Sequence, residues 1–234
     1  MNLFARWFSP APLLSAGEKA RLDAWRCLPE ASRPVDLTCG RFVVVDVETT
    51  GLNLSRDKLI AIGAVAVNQG RICLGDSFEI ILQQSASSGK DNILIHGIGG
   101  SAQTGGVPPT EALLCFLEFL GKDPLVAFHV TFDKTMIRRA LKTFLGLRFN
   151  HPWLDLAYVA PGLNPQHAHV LRTLDEWTRH FGIQNYARHN ALADALTTAQ
   201  LYQVAIEQGR HKNIKTFKGL QDLENLHRWT RGAG

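Results

Sequence analysis

Residues 42–51, FVVVDVETTG, constrain the fold more than any other stretch of this chain. Four apolar residues lead into Asp46, Val47 and Glu48, and Gly51 allows a sharp exit. Side chains alternate along a strand, so Phe42, Val44, Asp46 and Glu48 share one face while Val43, Val45 and Val47 share the other. A strand apolar on both faces belongs in the middle of a covered sheet. Its two acids then open onto a cleft at the strand's C-terminal end, where ligand sites of open α/β sheets lie. Taken alone, an Asp-x-Glu pair at a strand end is more often solvated surface than chemistry. The valines before it are what tilt the reading toward a site.

The rest of the chain supplies elements to cover such a strand. Leu59–Val67 and Ile72–Leu82 read as two more strands, joined through Asn68-Gln69-Gly70 as an antiparallel hairpin. Residues 83–92 are a polar loop, and Gly97 to Gly106, with five glycines, reads as another. Thr110 is placed to cap a helix carrying Leu113, Leu114, Leu117 and Leu120, which Gly121 stops. A short strand follows at 125–128. A helix then starts near Thr131, with Ile137, Ala140, Leu141 and Phe144 at helical spacing. A brief strand at 153–156 precedes helices over 170–181, closed by Gly182, and 190–208, closed by Gly209. The segment 216–229 is a last helix. Near the start, Ser15-Ala-Gly-Glu18 fits a capping box for a helix over 16–27, and Pro29 and Pro34 then break the chain. This order predicts one mixed sheet with helices on its faces. It divides as an N-terminal helical extension over 1–40, an α/β domain over 41–209 and a C-terminal helical tail over 210–234.

With 234 residues and 45% hydrophobic side chains, the chain can bury a core of its own. The net charge of +4 is compatible with a polyanionic partner without requiring one. Cys27, Cys39, Cys73 and Cys115 show no C-x-x-C spacing, which argues against zinc and for buried free thiols. No apolar run reaches the roughly 18 residues of a membrane span, and the opening stretch is a poor signal peptide, so a cytoplasmic protein is expected.

Two further segments carry candidate chemistry. In LVAFHVTFDKTMIRRAL, Asp133 lies in the first turn of a helix, where the macrodipole alone accounts for an acid. In RHNALADALTTAQLY, Asp194 lies in a helix and His189 five residues earlier. Five residues turn a helix by about 500°, so the two converge only if His189 stands in the loop before it. Asn190 as N-cap puts it there. A lone histidine at such a place is by default a surface or structural group. Four carboxylates brought together would repel, by roughly 4 kcal/mol for a pair 4 Å apart at an effective dielectric near 20. Cations or protons must relieve them, and hard divalent ions suit an all-oxygen ligand set. Two ions can clamp both oxygens of a phosphoryl centre, and a histidine beside them could take the proton of an attacking water.

DVETTG at 46–51, HVTFD at 129–133 and HNALAD at 189–194 together resemble the three motifs of the DEDDh family of 3′→5′ exonucleases. These enzymes have the ribonuclease H-like fold, a mixed α/β sheet flanked by helices. The likeness covers about residues 40–208 and is greatest to the proofreading epsilon subunit of bacterial DNA polymerase III and its stand-alone relatives. It implies that Asp46, Glu48, Asp133 and Asp194 bind two divalent cations, Mg2+ or Mn2+, and that His189 is the general base. It also implies that Thr49, Thr50, Gly51 and Leu52 hold the terminal nucleotide. His129 and Phe132 would border the substrate strand, and His96 in IHGI would line the nucleotide pocket. After IHGI the chain continues GGSAQTGG where relatives often have Thr and an acid, so a longer, more flexible loop is expected there. No G-K-[ST] follows, so these glycines are not a P-loop.

Arg56, Lys58, Lys134, Arg138 and Arg188 lie near the motifs. Most read as solvated surface; Arg188, beside His189, is the best candidate for substrate binding. His167 and His169 form an H-x-H pair with no nearby partner acid and are set aside. The implied function is removal of nucleoside 5′-monophosphates from single-stranded or frayed 3′ ends of DNA, with a replication or repair protein as partner and no membrane. The alternatives are a 3′→5′ exoribonuclease acting on RNA, and a non-catalytic nucleic-acid-binding subunit.

Overall fold

The computed structural model describes residues 12–30, 35–185 and 187–232. The opening apolar stretch before Pro12, and Pro34, lie outside them. Five strands form one mixed sheet: β1 Arg41–Thr49, β2 Leu59–Asn68, β3 Arg71–Ile81, β4 Leu125–Ala127 and β5 Trp153–Asp155. Their order is β3-β2-β1-β4-β5, so the strand with the two acids is central, as its valines require. β1 pairs antiparallel with β2 and parallel with β4, and β5 continues parallel on β4. The β2–β3 hairpin turns at Gln69 and Gly70, both at positive φ, the backbone such a two-residue turn demands.

The alternation along β1 divides the core in two. Val43, Val45 and Val47 pack under α1 (Ala16–Cys27), α4 (Pro109–Leu120) and α5 (Val130–Leu145). Phe42 and Val44 pack on the other face against α6 (Leu156–Leu163), α8 (Ala191–His211) and α9 (Phe217–Gly232). Each fully buried side chain of this size contributes about 1.5–3 kcal/mol. This is the ribonuclease H-like α/β arrangement expected of the sequence. Among the described residues no helix is long and apolar enough to cross a membrane.

The N-terminal and C-terminal segments both pack on the sheet. Ser15 and Glu18 form the full capping box of α1, and Leu22 and Trp25 of that helix are buried. Phe217 and Leu220 of α9 join the second core. The two segments also meet. Phe217 N–H donates to Val35 C=O at 2.9 Å, and Asp36 bridges to Thr216.

Several expectations need correction. Thr110 is not a cap: Pro109 opens α4, its fixed φ suiting the first helical position. The glycine-rich stretch is not one loop. It holds α3 (Gly100–Thr104), and the polar loop expected over 83–92 gives way at Lys90 to α2 (Lys90–His96). Fully buried Gln103, whose amide bonds Ser88 and Ile98, rivets the two segments. The helix expected over 170–181 is only α7, Leu174–His180, because Thr173 and Glu176 form a capping box that starts it there. Helix α6 was not anticipated; Pro161 inside it masks the signal. Helix α8 runs through Gly209 to His211 rather than ending at it, since Gly209 is packed beneath Ile214 and Leu220. The four thiols are free, but none is buried: Cys27 and Cys39 are exposed, Cys73 and Cys115 intermediate.

Candidate active site

The acids of β1 point toward α8, as the alternation requires. Asp46 pairs in register with Gly63 of β2, and Gly63 is where α8 touches the sheet. A Cβ at Gly63 would lie 2.2 Å from the backbone of Ala191 and Leu192. Only glycine lets the first turn of α8 come this close. Asn190 caps that turn, its side chain accepting from Ala193 N–H at 2.9 Å. Asp194, 4% exposed, is thereby carried against β1. Ligand atoms of Asp46, Glu48 and Asp194 all lie within 4.8 Å of one another.

Asp133 arrives from the opposite face, in the first turn of α5, and is 4% exposed. It stands outside the three-carboxylate group but within electrostatic reach of Asp46. His129 precedes α5 in the left-handed conformation at φ 65°. That strained turn is held by Asp155, whose carboxylate accepts from His129 N–H at 2.9 Å and Val130 N–H at 3.1 Å. Asp155 also caps α6 and pairs with Arg228 of α9. It escaped the sequence reading because a lone acid at a short strand end carries no motif. The signal available was its position before LAYV, where it opens a helix.

The electrostatics are those of an uncompensated acid cluster. Burial, then the charges of Asp133, Asp194 and Glu48, hold Asp46 well above the usual carboxylate range. Burial and Asp194 push Glu48 up to about 8. Burial, with Asp155 and Glu48 adding to it, pushes Asp133 up to about 8, against the backbone amides that favour its charge. Asp194 is better compensated. Arg188 donates to its Oδ1 at 2.7 Å, Asn185 shares that oxygen, and His189 N–H donates to Oδ2 at 2.9 Å. Asp46, Glu48 and Asp133 resist ionisation until a cation joins them, and the all-oxygen set they offer fits a hard divalent ion.

His189 lies in the turn before α8 at φ 62°, exposed, where the N-cap argument put it. Its imidazole borders a cleft of about 840 Å³ shared with His96, Ile98 and Arg188. His96 is buried and neutral in character: Nδ1 accepts from Ile98 N–H and Nε2 faces Asn92 Oδ1, both at 2.9 Å. It therefore fixes the cleft wall, with both ring nitrogens engaged. The threonines after β1 are likewise committed. Thr49 donates to Gly51 C=O at 2.7 Å, and Thr50 donates to Asp57 and accepts from Lys58 N–H. Gly51 has the Asp57 carboxylate 2.6 Å from where a Cβ would be, and Leu52 stands 86% exposed beyond it. Phe132 is half-buried beside the first core, and His129 is exposed. The structure thus gathers Asp46, Glu48 and Asp194 tightly, with Asp133, His189 and Arg188 around them.

A family model described as exonuclease, RNase_T, matches residues 43–202. The chain is 28% identical over 201 residues to the DNA polymerase III subunit epsilon of Aquifex aeolicus, covering 84% of this chain and 93% of that protein. It is 29% identical over 189 residues to the PolC-type DNA polymerase III of Thermotoga petrophila, covering 81% of this chain but only 14% of that much longer protein. The crystal structure of E. coli exonuclease I with a dT13 oligonucleotide superposes with a TM-score of 0.62 at 16% identity, over 74% of this chain and 42% of that one. A zinc-bound form of the exonuclease I–single-stranded DNA complex gives 0.63 at 16% identity, over 74% of this chain and 41% of that one. At such identity the likeness is one of fold.

Proposed function

The chain belongs to the RNase_T exonuclease family, and from that premise we propose that it removes nucleotides one at a time from the 3′ end of single-stranded or frayed DNA. The observation that carries the reading is the meeting of Asp46, Glu48 and Asp194, from β1 and α8, within 4.8 Å. The acids that would hold divalent cations, Mg2+ or Mn2+, are these three and Asp133. Bound there, two such ions would supply Lewis-acid stabilisation of both the attacking and the leaving oxygen.

The chain's own residues do the rest. His189, exposed at the cleft edge, takes a proton from water as its oxygen bonds to the terminal phosphorus. The bond from phosphorus to the 3′ oxygen of the preceding sugar breaks, that oxygen regains a proton from solvent, and a nucleoside 5′-monophosphate leaves. The backbone of Thr49 to Leu52, stiffened by the Thr49 and Thr50 hydroxyl bonds, seats the terminal nucleotide. Pre-set geometry of this kind can supply a large part of a rate enhancement. Arg188, 2.7 Å from Asp194, is near enough to exchange a carboxylate for a substrate phosphate. His96 walls the pocket, and His129 and Phe132 border the strand as it enters.

The epsilon and PolC names of the curated relatives, and the oligonucleotide held by exonuclease I, support DNA and a role beside a polymerase. The test uses 5′-labelled single-stranded DNA, mismatched duplex DNA and RNA, each with Mg2+ or Mn2+. A ladder shortening from the 3′ end is the expected result, faster on DNA, and Asp46→Ala should abolish it. Activity surviving in Asp46→Ala would overturn the site, and faster loss of RNA would move the substrate to that polymer.

A further inference from the structure

Helix α5 carries three cations that the proposed chemistry leaves unused. Lys134, Arg138 and Lys142 stand four residues apart, Lys134 half-buried and the other two exposed. Four residues advance a helix by about 6 Å and turn it by about 400°, so the three form a slowly winding row along one flank. The row begins one residue after Asp133. Because α5 follows a strand parallel to β1, it leads back from the acid cluster along the side of the molecule. Arg139 lies off this row. It turns to the loop after β1, donating to the carbonyls of Leu54, Ser55 and Asp57.

The row is a run of three cations at helical spacing with no ion-pair partner among the described residues. Several cations on other helices are matched within their own helix, Arg26 with Asp23, Arg210 with Glu207, Lys218 with Asp222 and Arg228 with Glu224, and Arg21 of α1 reaches Glu111 and Glu118 of α4. On α5 Asp133 is the only acid, and no ion pair among the described residues engages Lys134, Arg138 or Lys142. Like charges at this spacing destabilise a helix unless an anion lies across them. A polyanion with regularly spaced charges is the ligand that would.

We propose that Lys134, Arg138 and Lys142 form a track for the phosphodiester backbone of a single-stranded polynucleotide, upstream of the nucleotide being removed. The inference rests on the nuclease reading, since it takes the strand to end at the acid cluster. Non-specific binding of single strands is built on such backbone-following cations. The consequence is a preference for long substrates, because a dinucleotide ends before the row.

The test compares the full chain with Lys134→Gln/Arg138→Gln/Lys142→Gln. Affinity for a 20-nucleotide strand, as DNA and as RNA, is measured in EDTA across a salt series, and kcat/KM is measured with Mg2+ on the 20-mer and a dinucleotide. Three lost phosphate contacts lower the salt slope by about 2, so between 50 and 200 mM salt the parent should lose about 20-fold more affinity than the variant. Cleavage of the 20-mer should fall at low salt while dinucleotide cleavage is unchanged. Arg71→Gln/Lys212→Gln/Lys215→Gln, which removes the same charge at the far end of the sheet, should behave as the parent. Arg138→Gln/Lys142→Gln leaves the neighbour of Asp133 intact and should show about two-thirds of the slope change. Equal slopes in parent and triple variant, or an equal loss in the far-end control, would overturn the track. A parent that binds the strand but cleaves neither substrate would overturn the nuclease reading instead, and the slopes would still judge the track.

Discussion

Arg228, in the last helix of the chain, closes a 2.7 Å ion pair on Asp155 at the end of β5. Asp155 in turn holds the amides of His129 and Val130, so α9 reaches the turn before Asp133 through one carboxylate. Arg228→Met keeps the aliphatic reach and removes the charge. The Asp155 side chain is 2% exposed and would lose its cation, while Arg228 is one-third exposed and partly screened. The expected loss is about 2–3 kcal/mol, below the full cost of breaking a wholly buried pair. Denaturant unfolding reads it directly. A loss under about 0.5 kcal/mol would mean that the amides alone hold Asp155.

Gly63→Ala tests how the third motif is brought to the first. The added methyl meets the backbone of Ala191 and Leu192, which cannot step aside as a side chain can. Overpacking of this sort costs about 1–3 kcal/mol. The larger effect should fall on activity. A shift of about 1 Å in α8 displaces Asp194 from Asp46 and should cost on the order of 100-fold in kcat. A variant with parent-like kcat would show that the site tolerates movement of α8.

The acid cluster makes ion-free stability depend on pH. Glu48 and Asp133 are each pushed up to about 8 in the fold, chiefly by burial. Unfolded carboxylates titrate near 4, so between about pH 4 and 8 the folded state holds more protons than the unfolded one. Their contribution is fully present below pH 4 and is lost as pH rises through 8. In EDTA, Tm should therefore fall from pH 5.5 to 8. Mn2+ should restore it, by more at pH 8 than at 5.5. An ion-free Tm attributable to other groups alone would be matched by Glu48→Gln, whereas the cluster predicts a flatter profile in that variant.

Arg188 occupies the Asp194 oxygen that a cation would want, at 2.7 Å. Arg188→Met removes that competitor. Without substrate, Mn2+ affinity by calorimetry should rise roughly fivefold, the equivalent of an ion pair worth about 1 kcal/mol. The same variant should bind oligonucleotide less well. Weaker Mn2+ binding would identify Arg188 as a support for Asp194 rather than a rival to the ion.

Much of this was legible in the chain because the decisive signals are local. The valines of β1 state its central position, Asn68-Gln69-Gly70 states the hairpin, and Asn190 states that His189 stands before α8. What escaped depends on contacts distant in sequence. The order of the glycine-rich segment comes from buried Gln103, which no local pattern advertises. Asp155 acquires its importance from His129 and Arg228, on either side of it by tens of residues. The Thr173–Glu176 capping box was readable and would have set the start of α7 correctly. Gly63 looks like an ordinary strand residue until α8 is laid across it.

The stitch between Val35 and Phe217 bears on portability. The matched segment, residues 43–202, leaves out Phe42 and Phe217, whose rings stack at 5.6 Å over one face of the sheet. Cut at those limits, the piece would present that apolar face to solvent and aggregate before its site could be assayed. A graft or fusion that expects a working nuclease should carry everything from Ser15, which caps the helix burying Leu22 and Trp25, through Arg228 as one indivisible cassette.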